Sequence, residues 1–110
     1  MPRFVLTGNY SSAAMKGMIE APADREAASR SIVEAAGGKL ESFYVTTGEH
    51  DFIMTISIDN PEDLLAGLMV AGASGAATNL RTSRAFTSAE FTKMQEKAKA
   101  LAGAYQAPGS

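Results

Sequence analysis

The sequence predicts a single α+β domain in which strands and helices follow one another as β-α-β-β-α-β. Three observations carry this reading. Segments rich in β-branched and aromatic residues recur at 4–9, 40–47, 51–58 and 77–86, as strands require. Apolar residues at helical spacing fill the first and last intervals between them. Only Gly48-Glu49-His50 separates the middle two segments, and that spacing reads as a β-hairpin.

The elements can be justified in order. The apolar run from Phe4 closes on Gly8-Asn9, a strand end. Ser11 or Ser12 can cap a helix with Ala14, Met15, Met18 and Ile19 on its apolar side. Pro22 must interrupt that helix, because it lacks an amide donor and clashes with the preceding turn. Asp24 can cap a restart from Arg25 to Ala36, with Ala28, Ile32, Ala35 and Ala36 on one face and Gly37-Gly38 as the stop. The first helix is therefore expected in two pieces. In the second strand of the hairpin, Phe52, Met54, Ile56 and Ile58 share an apolar face, while Ile53, Thr55 and Ser57 share a mixed one.

Asp59-Asn60-Pro61-Glu62-Asp63 combines a capping side chain, a first-turn proline and acids at the positive end of the helix dipole. The stripe expected behind it is Leu64, Leu65, Leu68 and Met69, ending at 72–75. Thr87-Ser88-Ala89-Glu90 is a capping box. It opens a C-terminal helix with Phe91, Met94, Ala98, Leu101 and Tyr105 on one stripe. The domain is expected to span 1–106, with 107–110 as a frayed tail.

Composition bounds the function classes. The chain has 110 residues, 45% apolar and 20% charged, close to globular averages. A net charge of −2 speaks against nucleic acid or an anionic membrane as partner. There is no cysteine, so disulfides, a thiolate nucleophile and zinc–sulfur ligation are excluded. The first residues are too short an apolar run for a secretion signal, and no stretch reaches membrane-span length. A soluble, cytoplasmic protein without a cofactor is expected.

The order β-α-β-β-α-β is the ferredoxin-like arrangement: a four-stranded antiparallel sheet with helices on one face, here with an extra C-terminal helix. The other face needs cover where it is apolar. With Phe43, Val45 and Ile53 expected there, two copies would meet face to face as a dimeric α+β barrel.

Several local motifs occur in a telling order: Lys16-Gly17, Asp24-Arg25, Gly37-Gly38-Lys39-Leu40-Glu41, Gly48-Glu49-His50-Asp51, Asn60-Pro61-Glu62, and Leu80-Arg81-Thr82 running to Thr87. Together they resemble the GYD family, named for a Gly-Tyr-Asp motif, over nearly the whole chain. The sequence departs at His50, where that family usually has tyrosine, so a role needing a phenol hydroxyl there does not carry over. The resemblance implies membership of the dimeric α/β-barrel group. That group includes cofactor-free monooxygenases, haem-binding enzymes, isomerases and plain binding proteins, so it does not choose a function.

Candidate site residues follow from chemistry. His50, the only histidine, titrates near neutrality and can act as a general base with Asp51 orienting it. The competing reading makes His50 a turn or interface residue and Asp51 an acceptor for backbone amides of the hairpin. Three consecutive residues in extended chain alternate in direction, and no second histidine or cysteine completes a set, so no metal is expected. Lys16 and Arg25 flank the break at Pro22 and can meet a carboxylate or phosphate, although the reading favoured here is a solvated face with helix salt bridges such as Glu26 with Arg30. Arg81 and Arg84 have opposite parity, so they point to opposite faces of the last strand. Tyr10 and Tyr44 offer hydroxyls, or close a core or an interface.

The leading expectation is a homo-oligomeric protein binding a small apolar or aromatic metabolite between the sheet and the broken helix. Its polar contacts would be Tyr10, Lys16, His50 and Arg81, with Arg25 and Tyr44 nearby. A cofactor-independent monooxygenase or isomerase using His50 and Asp51 is the alternative. An assembly module is the third.

Overall fold

A computed structural model describes residues 1–109; Ser110, the last residue of the expected tail, lies outside the described residues. The elements are β1 (Arg3–Tyr10), α1 (Ser12–Glu20), α2 (Arg25–Ala35), β2 (Lys39–Val45), β3 (Phe52–Ser57), α3 (Pro61–Ala73), β4 (Ala77–Ala85) and α4 (Ser88–Leu101), followed by a 3₁₀ turn (Ala102–Ala104). The sheet order is β2-β3-β1-β4, and every neighbouring pair is antiparallel. This is the ferredoxin-like α+β arrangement that the sequence predicts. No helix among the described residues is long and apolar enough to cross a membrane.

The local signals act as read. Ser11, Asp24 and Asn60 accept amide hydrogens at the starts of α1, α2 and α3. Thr87 and Glu90 form the reciprocal capping box of α4. The first helix is broken at Pro22, with residues 21–24 outside both pieces. Glu26 and Arg30 pair at 3.2 Å along α2, one turn apart as helix geometry favours.

The core lies between the sheet and α2 and α3. Leu6, Phe52, Met54, Ile56 and Ile58 are buried, and Val33, Leu40 and Leu64 close over them. Each strand thus places alternate residues under the helices. The opposite face carries Val5, Ile53, Thr55 and Ser57, where Ser42 and Thr55 bond across strands at 2.6 Å and Ser57 donates to Glu41 at 2.9 Å.

Two expectations are corrected. Phe43 and Val45 do not join Ile53 on the open face. The register of β2 slips between Leu40 and Ser42, and this bulge exchanges the faces of all later residues. Phe43 therefore packs on the core, with its ring 6.4 Å from that of Phe52. Second, Met15, Ile19, Leu65 and Met69 are exposed, as are Ala28 and Ala35. The contact strips are narrower than the apolar stripes: α3 faces inward along Leu64, Gly67, Leu68 and Ala71, and α2 along Ser29, Ile32, Val33 and Ala36. Residues one position away are turned by about 100°. The C-terminal helix α4, whose cover the sequence leaves open, has no buried residue. It extends from the body, giving dimensions of 62 × 32 × 22 Å and a radius of gyration of 18.1 Å, against roughly 13 Å for a compact domain of this length.

Gly38 lets the chain enter β2 close beneath the sheet. A Cβ there would lie 2.9 Å from the Ser57 carbonyl oxygen and 3.2 Å from Ile58 Cβ. Gly38→Ala is expected to destabilise the fold by about 1–3 kcal/mol through overpacking. Gly72→Ala, where an added methyl meets nothing within 4 Å, should stabilise α3 by about 0.5–1 kcal/mol. Urea denaturation of the two variants measures both signs.

Candidate functional site

The end of β1 is where the sequence-selected motifs meet. Asp51 donates its amide to the Gly8 carbonyl at 2.9 Å, and its carbonyl accepts from Thr46 at 2.8 Å. Its carboxylate accepts from the Tyr10 amide at 2.9 Å. Thr46 Oγ1 donates to the His50 carbonyl at 2.7 Å, closing the hairpin loop, and Gly48 supplies the left-handed turn with φ +107°. Asn9 reaches the Glu49 carbonyl at 3.1 Å and accepts from Asn79 at 3.0 Å. Asn79 itself has φ +51°, a conformation that asparagine tolerates better than most residues. Arg81 Nε donates to its side-chain oxygen at 3.3 Å.

These bonds fix the point from which the chain leaves the sheet. Ser11 donates its amide to Ala76 at 2.9 Å, and its hydroxyl caps α1 immediately afterwards. The helix stops at Glu20 and the chain resumes helical structure at Arg25, and a space lies at the break. This cavity has a volume of about 250 Å³, and Tyr10, Ala14, Gly17, Met18, Ala23 and Arg25 line it. Its polar groups come from two of the sequence-selected residues, Tyr10 and Arg25. The Tyr10 ring packs 5.1 Å from that of Phe52, and Arg25 Cζ stands 6.0 Å from the centre of the Tyr10 ring, within cation–π range. Arg25 Nε is buried without a hydrogen-bond partner. Burial pushes the Tyr10 phenol above its ordinary value of 10.0, and the neighbouring Arg25 guanidinium offsets part of that rise.

The remaining candidates lie elsewhere. Lys16 is exposed on α1 and lines no part of the cavity. Tyr44 is two-thirds exposed, opposite Ile53 on the open sheet face. Arg81 is exposed on that same face, opposite Thr7, while Arg84 sits opposite Phe4 on the helix side, as their opposite parity requires. His50 is partly buried, and its Nδ1 is enclosed without a partner. Asp51 does not hydrogen-bond it; that carboxylate is held by the Tyr10 amide. His50 and Arg81 do not line the cavity, so only Tyr10 remains of the four polar contacts expected there.

The sequence reading missed the small-residue wall formed by Ala14, Gly17, Ala21 and Ala23. The signal was present as small residues at helical spacing leading into Pro22. A second, mostly apolar cavity of about 80 Å³ lies between α2, α3 and the sheet, beside Met54 and Leu68.

The order of elements and the Gly48–Asp51 loop correspond to a known family. The GYD domain family profile matches residues 4–94. The chain belongs to the GYD domain family. The matched span takes in the complete sheet and ends inside α4. No curated protein sequence matches significantly. Among solved structures, the fold is similar to MtbAldR, with a TM-score of 0.52, 19% identity and 78% of this chain covered. It is also similar to a transcriptional regulator of Neisseria meningitidis in complex with L-methionine, with a TM-score of 0.52, 10% identity and 79% coverage. The alignments cover 52% and 51% of those two chains, so this GYD chain spans about half their length. FFRP-DM1 aligns over its whole length with a TM-score of 0.49 and 15% identity. At identities this low, the likeness to MtbAldR and to the Neisseria meningitidis regulator shows a shared fold and nothing more.

Two outcomes follow from this geometry. Asp51→Ala leaves the part-buried Tyr10 amide without its acceptor and is expected to cost about 1–3 kcal/mol, with a smaller loss for Asp51→Asn; chemical denaturation measures the difference. In an absorbance titration, Tyr10 is expected to ionise above 10.0, and Arg25→Met should move it further up by removing the stabilising cation. Because the folded value is raised, the associated stability is present below the ordinary phenol value and lost as pH rises through the folded one.

Proposed function

We propose that this GYD domain binds a small metabolite with an apolar or aromatic body and one anionic group in the cavity beneath the broken helix. The observation that carries this reading is Arg25, whose buried Nε has no partner while its guanidinium borders the cavity. A buried, unpartnered donor on a cation costs free energy. A carboxylate on the bound molecule would satisfy it with a charge-assisted hydrogen bond. The Tyr10 hydroxyl provides a second polar contact, and Met18 with the alanine wall provides an apolar seat. The volume of about 250 Å³ is just below the roughly 300–1,000 Å³ of drug-sized pockets and suits a compact metabolite. L-methionine, the ligand of one structural relative, has this combination of apolar chain and carboxylate.

In this reading the protein acts as a homo-oligomer, and Lys16, exposed on α1, attracts the anion from solvent. Tyr44 and Arg81 belong to the open sheet face and to contacts between copies.

A second reading takes His50 as a general base. It has one favourable observation, the enclosed and unpartnered Nδ1. It would operate without orientation by Asp51, because that carboxylate is already engaged.

Native mass spectrometry of gently purified protein tests the binding reading. A stoichiometric small mass is expected on the wild type and absent from Arg25→Met. It should also be absent from Gly17→Phe, which fills the cavity from an α1 position where an added Cβ meets nothing within 4 Å. Bare protein that also shows no thermal shift with L-methionine or other small carboxylates would reject the binding reading.

A further inference from the structure

The helix that walls the Arg25 cavity is weakly held. α1 has no buried residue, and only Ala14 and Met18 along it are even partly covered. Both line the cavity, so α1 shelters that space and no packed core. α2 packs on β2 and α3 on β4, whereas α1 makes no comparable contact with any element among the described residues. Its intrinsic stability is low as well. Its nine residues fall short of the roughly 12–15 that an isolated helix needs in water. Gly17 stands mid-helix, where glycine costs the most backbone entropy. Glu20 sets a negative charge at the negative end of the helix dipole, and no basic residue in the last turn offsets it.

We infer that α1 is a lid on the cavity at Tyr10 and Arg25, and that it opens from its C-terminal end to admit and release the bound molecule. This deepens the proposed function and rests on its binding reading. The two ends of α1 are held differently. At the start, the Ser11 amide donates to the Ala76 carbonyl at 2.9 Å, and the Ser11 hydroxyl accepts from the Ala14 amide at 3.1 Å. The residue before it is fixed by the bond between the Tyr10 amide and Asp51. At the other end, residues 19–24 are all exposed, and the helix stops on Ala21 without a glycine cap. Pro22 has no amide hydrogen with which to continue the α1 ladder. α2 has its own start, in which Asp24 accepts from the Ala27 amide at 3.1 Å. The end of α1 can therefore lift or unwind without disturbing α2. That motion carries Gly17 and Met18 off the cavity while Tyr10, Arg25 and Ala76, which lie outside α1, stay in place. A molecule touching both Arg25 and Met18 would bind the closed state better than the open one, and that difference is what holds a lid down.

The test needs no ligand. Hydrogen exchange on the full wild-type chain reads the opening of α1. The amides of residues 15–20 are expected to exchange at least about tenfold faster than those of Leu6, Met54 and Ile56, because α1 opens locally while the sheet stays closed. The absence of cysteine makes one introduced thiol a clean probe of entry. Ala76 lines the cavity from outside α1, so Ala76→Cys is labelled with a nitrobenzoate disulfide reagent, an aromatic carboxylate of the proposed ligand class. Ser11 lies outside the cavity, and adding Ser11→Ala removes only the cap of α1. It should speed both α1 exchange and thiol labelling by about fivefold. Adding Gly17→Ala instead should slow both by about two- to fivefold. Thiol labelling that does not follow α1 exchange in Ser11→Ala would overturn the inference. So would α1 amides as well protected as those of the sheet. Both readouts use ligand-free protein, so their failure is distinct from that of the binding reading, which native mass spectrometry and thermal shift decide.

Discussion

The antiparallel register of β1 with β3, running from Gly8 opposite Phe52 to Arg3 opposite Ser57, presses Leu6, Met54 and Ile56 against the helices together. Because side chains alternate along each strand, this register also commits Val5, Ile53 and Thr55 to the open face. β2 and β4 join the outer edges of this pair, and each carries a local irregularity that adapts it. The bulge near Glu41 keeps both Leu40 and Phe43 over the core. The slip between Thr7 and Asn9 lets β4 stay paired with β1 as far as Tyr10, opposite Ala77.

The candidate site is a consequence of that turn. Asp51 bonds backbone groups of both Gly8 and Tyr10, so the hairpin loop and the exit of β1 behave as one rigid corner. A helix leaving this corner cannot continue past Pro22, and its restart at Asp24 places Arg25 back beside Tyr10. The cavity is therefore made by a backbone break, and its two polar residues come from either side of that break. The aspartate has a structural task here. The Tyr10 hydroxyl and the Arg25 guanidinium engage each other across the break, and Arg25 Nε is left without a partner.

The outer surface shows a second consequence of helices packing through narrow strips. Leu65, Met69 and Val70 on α3, and the whole apolar stripe of α4, face outward. A helix so rich in apolar residues on its exposed side ordinarily lies at an interface.

By itself the sequence determined the elements, their order, the break in the first helix and the buried face of β3. These follow from capping residues, proline and glycine positions, and alternation, all of which act within a few residues of chain. Tyr10 and Arg25 were also legible as residues with binding chemistry. Their convergence was not, since it depends on where α1 stops and where α2 restarts. Nor was the bulge that sent Phe43 to the core, because a single inserted residue leaves composition unchanged while reversing every later side chain. The exposure of Leu65, Met69 and α4 was likewise decided only in three dimensions. An apolar stripe records that a helix has something to bury, and the fold determines whether its own chain supplies the partner.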